Sequence, residues 1–234
     1  MSARYLIWDF DGTLGYREGR TWSVVLLEVL DLYMPGHPFV AEQLAPFLRS
    51  GFPWHMPERP HTHIADADQW WAELQPLFAA AFGGIGLDAG RARWLAERVR
   101  PIYCNPTRFR LFDDALSTLD ALAARGWTHV ILSNHVPEFD AIAAALGLSR
   151  RMAMIFNSAR MGYEKPHPEI FRQVLATIGA DGPRWMIGDN FLADVRGAEA
   201  VGIPAVLVRK PHPEARHFCP DLAGVIEIVA DGRP

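Results

Sequence analysis

The chain is predicted to be an α/β protein: a Rossmann-like parallel sheet flanked by helices, with an all-helical segment inserted after the first strand. Three observations predict this. From about residue 105 to 210, short apolar runs recur that read as strands buried on both faces, the mark of a covered parallel sheet. Helical stretches separate them at the spacing of βαβ units. A run of the same kind, YLIWD at 5–9, stands alone near the N-terminus, ahead of a long region patterned for helices only.

In chain order, YLIWD (5–9) is the first expected strand, and it ends on Asp9. The segment 16–104 follows, and no strand is read in it. TWSVVLLEVLDLYM (21–34) and DADQWWAELQPLFAAAF (66–82) are expected helices. In the second, Trp70, Leu74, Leu77, Phe78 and Ala81 share one face at i, i+4, i+7, i+8 and i+11. DAGRARWLAERVR (88–100) is read as one more helix with Asp88 as its N-cap. GFPWHMPERPHTHIA (51–65), rich in Pro and His, is expected to be a structured loop. GGIGLDAG (83–90) resembles a nucleotide-binding glycine pattern, but it follows a helix rather than a strand and reads as the turn ending that helix. Beyond 104, the expected strands are HVILS (129–133), MAMIF (152–156), WMIG (185–188) and AVLV (205–208). Helices between and after them stop at Gly126, Gly147, Gly179 and Gly202, where glycine takes the left-handed conformation cheaply. The expected division is a core of 1–15 and 105–234 and a helical insertion of 16–104.

Composition narrows the function. The chain has 234 residues, 21% of them charged, and a formal net charge of -4, so no basic footprint points to nucleic acid. No apolar stretch approaches the ~20 residues that span a bilayer. The opening residues MSARYLIWDFDG lack the length and cleavage site of a signal peptide. Cys104 and Cys219 lie far apart and suggest no disulfide framework, so a reducing, cytoplasmic location is expected. Only Lys165 and Lys210 are lysines among 23 basic residues. Oligomeric state is left open.

The chemistry is concentrated at strand ends. Asp9 closes the first strand and Asp11 follows in a turn; ligands of open parallel sheets bind at the carboxyl ends of strands. An Asx-turn is the alternative reading of DxDGT. A calcium loop does not fit, since its sixth and twelfth positions would hold Leu14 and Arg20. HVILSNH ends on Ser133 and Asn134; WMIGDNFLAD ends on Asp189, with Asp194 five residues later. Lys165 lies between them, ahead of a helix that Pro166 and Pro168 help to start. One sheet would therefore line up Asp9, Ser133 and Asp189, with Asp11, Lys165 and Asp194 on adjoining loops. Two carboxylates 4 Å apart repel by about 4 kcal/mol at an effective dielectric of 20. A hard divalent cation relieves this, and Mg²⁺ suits it best because it takes few carboxylates, keeps waters and accepts phosphate. With no Cys or His in the set, zinc is disfavoured. Metal, ammonium and hydroxyl together suit a phosphoryl group.

DFDGTL (9–14), ILSN (131–134), Lys165 in EKPHPEIF and GDNFLAD (188–194), in that order, resemble the four motifs of the haloacid dehalogenase-like hydrolase superfamily. The helical insertion is similar to that family's C1-type cap. The resemblance implies a Mg²⁺-dependent phosphatase acting on a small phosphorylated metabolite. Asp9 would be the nucleophile and Asp11 the general acid and base. Ser133, Asn134 and Lys165 would hold the phosphoryl group. Asp9, the Asp11 carbonyl and Asp189 would bind Mg²⁺, with Asp194 behind them holding metal-bound waters or orienting Lys165. Members that cleave carbon–halogen bonds lack the acid corresponding to Asp11. Phosphonate-cleaving members need a cap lysine, and 16–104 contains none. A phosphotransferase or phosphomutase, and a binding protein without turnover, are the alternatives. For the leaving group, Phe52, Trp54, His55 and Met56 are candidate pocket residues, with Arg17, Arg20, Arg49 and Arg59 for a second anionic group. His61 and His63, with no third ligand near, are read as loop residues.

Overall fold

A computed structural model describes residues 3–64, 66–179 and 181–230. The outermost ends of the expected core, 1–2 and 231–234, lie outside the described residues. Six parallel strands form the main sheet: β1 (Arg4–Trp8), β4 (Trp127–Ser133), β5 (Met152–Asn157), β6 (Arg184–Gly188), β7 (Ala205–Val208) and β8 (Phe218–Cys219). Their order is β5-β4-β1-β6-β7-β8, which puts the N-terminal strand at the centre.

Both faces of that sheet are covered, which is why its strands read as unbroken apolar runs. Alternate residues face opposite sides. Leu6, Trp8, Ile131, Trp185, Ile187 and Val206 belong to one buried cluster, which continues into the helices of the inserted segment. Ile7, Val130, Met186 and Leu207 belong to the other, packed on Ile170, Phe171 and Val174 of the helix Pro168–Ile178. A buried histidine of β4 is satisfied: Trp8 Nε1 donates to His129 Nδ1 at 3.0 Å, and His129 Nε2 meets the Leu119 carbonyl at 2.9 Å. The expected helix stops hold, with φ between 76° and 86° at Gly126, Gly147, Gly179 and Gly202.

Two expectations need correction. First, strand structure does occur inside 16–104: β2 (Gly15–Arg17) pairs antiparallel with β3 (Phe109–Leu111). A three-residue strand shows no period, so only the return of the chain past 105 creates it. Second, 88–100 is not one helix but two, Ala89–Ala96 and Val99–Tyr103. Pro101 explains the break, since its ring clashes with the carbonyl four residues earlier, at Glu97. The helices Trp22–Tyr33 and Ala67–Gly84 form as expected, the second capped by Asp66 onto the Gln69 amide.

The ribbon of β2 and β3 is where the chain leaves for the helical segment and comes back. Glu28, on the first helix, clamps it. Its carboxylate takes Arg17 at 2.5 Å and Arg108 at 2.5 Å. Within the segment, Trp22 stacks on Tyr103 with ring centres 4.2 Å apart, and Phe52 stacks on Trp54 at 4.8 Å.

Candidate active site

The central position of β1 brings the distant motifs together. Trp8 is level with Ile131 of β4 and with Ile187 of β6, so Asp9, one residue on, and Ser133 and Asp189, two residues on, gather at the carboxyl ends of three adjacent strands. After Asp9 the chain turns sharply: the amides of Thr13, Leu14 and Gly15 all donate to the Phe10 carbonyl. Gly12 sits in this turn at φ 82°. A Cβ there would collide with the Asp189 carboxylate, so the turn needs glycine both for its backbone and for room.

Asp9 is buried and held from three sides. Lys165 Nζ donates to Oδ1 at 2.8 Å, Ser133 Oγ to the same oxygen at 3.2 Å, and Thr13 Oγ1 to Oδ2 at 3.3 Å. Lys165 also donates to Asp194 at 2.6 Å. Burial works against the Lys165 ammonium, but Asp194 and Asp9 outweigh it and hold its pKa above the ordinary lysine range. Asn134 has a part its motif did not announce: its side chain accepts from the Lys165 amide at 2.8 Å and donates to the Lys165 carbonyl at 2.9 Å. It thereby fixes the loop that carries the ammonium. Asp194 uses both oxygens, one on Lys165 and one on the Asn190 amide at 3.0 Å. These contacts fix its carboxylate beside the Lys165 ammonium.

Asp9, Asp189 and Asp194 offer oxygens within 4.8 Å of one another, all three buried. Burial, then repulsion from Asp9, pushes the Asp189 carboxyl upward against the pull of Lys210. Lys210, the other of the chain's two lysines, reaches Asp189 at 2.5 Å while most of its side chain stays in solvent. A crowded, all-oxygen set that draws in an exposed ammonium fits a hard divalent cation. Asp9 and Asp189 would hold it, with Asp194 beside them on Lys165.

Asp11 differs from its neighbours. Its side chain is 44% exposed and faces the cavity above Asp9. Partial loss of hydration in the cleft, then the charges of Asp9 and Asp189, raises its pKa to about 7 against the pull of Lys165. The cavity holds about 630 Å³ and extends from the carboxylates to the helical segment. Of the candidate leaving-group residues, Arg17, Arg20 and Trp54 line it; Phe52, His55, Met56, Arg49 and Arg59 do not. Arg17 is committed to Glu28, whereas Arg20 rests on the Tyr16 ring at 4.4 Å. Trp22 and Tyr103 complete the aromatic wall. His61 and His63 share no ligand position: His61 meets the buried Glu164 at 3.1 Å and His63 meets Glu73 at 3.0 Å. Cys104 and Cys219 are both free. Among the described residues, no helix is long and apolar enough to cross a membrane.

A family model described as haloacid dehalogenase-like hydrolase matches residues 3–202. The haloacid dehalogenase-like hydrolase domain-containing protein 3 of Bos taurus is 28% identical over 180 residues, covering 70% of this chain and 68% of that protein. The phosphoserine phosphatase of Thermus thermophilus is 34% identical over 150 residues, covering 62% of this chain and 59% of the enzyme. Among solved structures, the HAD-hydrolase YfnB from Bacillus subtilis, bound to magnesium, superposes with a TM-score of 0.73 at 21% identity over 98% of this chain and 99% of that one. At that identity the likeness concerns the fold.

Proposed function

The chain belongs to the haloacid dehalogenase-like hydrolases, and from that premise we propose that it is a Mg²⁺-dependent phosphatase of small phosphorylated metabolites. The observation that carries the proposal is the position of Asp9: a buried carboxylate at the floor of a cavity, held between an ammonium and a hydroxyl, with a second carboxyl two residues on. Phosphatases among the relatives agree with it.

In this reading Asp9, ionised beside Lys165, attacks phosphorus, and the bond from phosphorus to the leaving oxygen breaks. Asp11 gives its proton to that oxygen. Its surroundings push its carboxyl upward, the direction that suits a group that must be an acid first and a base next. Water then attacks the phosphoryl group on Asp9; Asp11 takes the water proton, and phosphate leaves with Asp9 regenerated. Ser133 and Lys165 stabilise charge on the transferring group. Asp9, the Asp11 main-chain carbonyl and Asp189 would hold Mg²⁺, which when bound offsets the negative charge of the phosphate and carboxylates. Segment 16–104 serves as the cap over the core formed by 1–15 and 105–234, and its Arg20, Trp22 and Trp54 would meet the leaving group.

Hydrolysis of p-nitrophenyl phosphate with and without Mg²⁺ tests this. A Mg²⁺-dependent rate lost in Asp9→Asn supports it. A rate at background, or one indifferent to Asp9, refutes it.

A further inference from the structure

One buried polar group beside the site has no role in the mechanism above. His135 follows Asn134 and is buried, with its side chain wholly out of solvent. Four rings surround it: Phe139 at 4.4 Å, Phe10 at 5.9 Å, and Phe109 and Tyr103 at 6.0 Å. Its backbone is tied down too, its amide donating to Ser158 Oγ at 3.2 Å. The ring therefore has one orientation.

That orientation fixes its tautomer. Nδ1 accepts from the Val136 amide at 2.9 Å, so in a neutral ring the proton must sit on Nε2. With Nδ1 occupied as an acceptor, the ring in this geometry is neutral. Nε2 has no hydrogen-bond partner. A buried donor left so costs about 1–3 kcal/mol and calls for an explanation. The acceptor within reach lies at the cavity floor: Asp11 Oδ2 is 3.5 Å from Nε2. A small rotation of the half-exposed Asp11 carboxyl closes the gap.

We propose that His135 is a positioning residue for Asp11, its Nε2–H donating to Asp11 Oδ2 and orienting the carboxyl toward the leaving oxygen. This rests on the phosphatase reading. A neutral imidazole N–H needs an acceptor, and Oδ2 is one whether Asp11 is protonated or ionised. While Oδ2 accepts from His135, the Asp11 proton resides on Oδ1. From there it passes to the leaving oxygen as the phosphorus–oxygen bond breaks. The ionised carboxylate, still held through Oδ2, then receives the water proton on Oδ1. His135 keeps its own proton throughout. Nothing in the motif ILSN foretells this, because the contact depends on the turn that brings Asp11 back over β4.

The test is the dependence of kcat/KM on leaving-group acidity, since general-acid help matters most for poor leaving groups. A series of aryl phosphates, with an alkyl phosphate at its basic end, is assayed with wild type, Asp11→Asn, His135→Phe and His135→Gln. His135→Phe fills the ring site without a donor; His135→Gln keeps one. The expected result is that the alkyl-to-p-nitrophenyl ratio of kcat/KM falls by about tenfold or more in His135→Phe, in the direction of Asp11→Asn, and recovers in part in His135→Gln. If His135→Phe does not fold, His135→Met supplies the same comparison. A ratio equal to wild type, or equal losses across the whole series, overturns the proposal. A wild type without Mg²⁺-dependent hydrolysis, or an Asp11→Asn ratio equal to wild type, overturns the phosphatase reading beneath it as well. Those two failures are seen without any His135 variant.

Discussion

Replacing Asp189 by Asn should stabilise the metal-free protein and abolish most of its response to Mg²⁺. The carboxyl oxygens of Asp9, Asp189 and Asp194 lie within 4.8 Å of one another. At an effective dielectric of 20, one pair at that distance repels by about 3.5 kcal/mol. Lys210 offsets part of this at Asp189, but its side chain is 73% exposed, and such pairs contribute about 1 kcal/mol or less. Removing the Asp189 charge should therefore raise stability by about 2–3 kcal/mol. For a chain of this length that is a rise of about 4–12 °C in melting temperature. Mg²⁺ reverses the order. At a hundredfold excess over its dissociation constant, the ion adds about 2.7 kcal/mol to a protein that binds it only when folded. Wild type should gain about 5–11 °C, and Asp189→Asn little. Melting in EDTA and across a Mg²⁺ titration, followed by calorimetry, checks both halves. An Asp189→Asn protein less stable than wild type in EDTA, or equally stabilised by Mg²⁺, would refute the reasoning.

His135 makes the fold acid-sensitive. Its folded pKa, about 3, lies below the unfolded value near 6.5, so the unfolded chain binds its proton first. Its contribution is full above pH 6.5 and declines below that by about 1.4 kcal/mol per pH unit; urea midpoints at pH 7 and pH 5 should converge in His135→Phe, and identical pH slopes would contradict this. Glu28→Gln leaves the buried Arg17 without its anion and should cost about 2–4 kcal/mol in chemical denaturation, whereas a loss near zero would mean that the clamp adds nothing. Gly12→Ala combines strain at φ 82° with a collision against Asp189. It should cost about 1–3 kcal/mol and weaken Mg²⁺ binding by calorimetry about tenfold or more; undiminished binding would refute the packing argument.

The parts of the fold legible in the sequence are those whose residues are buried on two sides. β1, β4, β6 and β7 carry continuous apolar runs because helices cover both faces, and those runs mark where each strand ends. β8, two residues at the edge, and the ribbon of β2 and β3 have too few residues for any period. At the site, Asp9, Ser133 and Asp189 are read from strand ends and Asp11, Lys165 and Asp194 from the loops beside them, and the structure brings these six together. Thr13 and His135 carry no such signal, and Lys210 is legible only as one of two lysines. Thr13 lies inside the motif, but its hydroxyl meets Asp9 only because the turn closes on Phe10. Lys210 lies 21 residues beyond Asp189, and only the order of β6 and β7 brings its ammonium across. The arginines read for a second anionic group divide on a feature invisible in sequence: Glu28 claims Arg17, whereas Arg20, lining the same cavity, rests on the Tyr16 ring.

The account depends most on Asp9 receiving the phosphoryl group. Acid quenching of the Mg²⁺-loaded enzyme during turnover, followed by peptide mass spectrometry, addresses this directly. The predicted result is one added phosphoryl group on Asp9, labile to hydroxylamine and accumulating when Asp11→Asn deprives the second step of its base. A phosphoryl group on another side chain, or turnover with Asp9 never modified under conditions that trap acyl phosphates, would contradict the account.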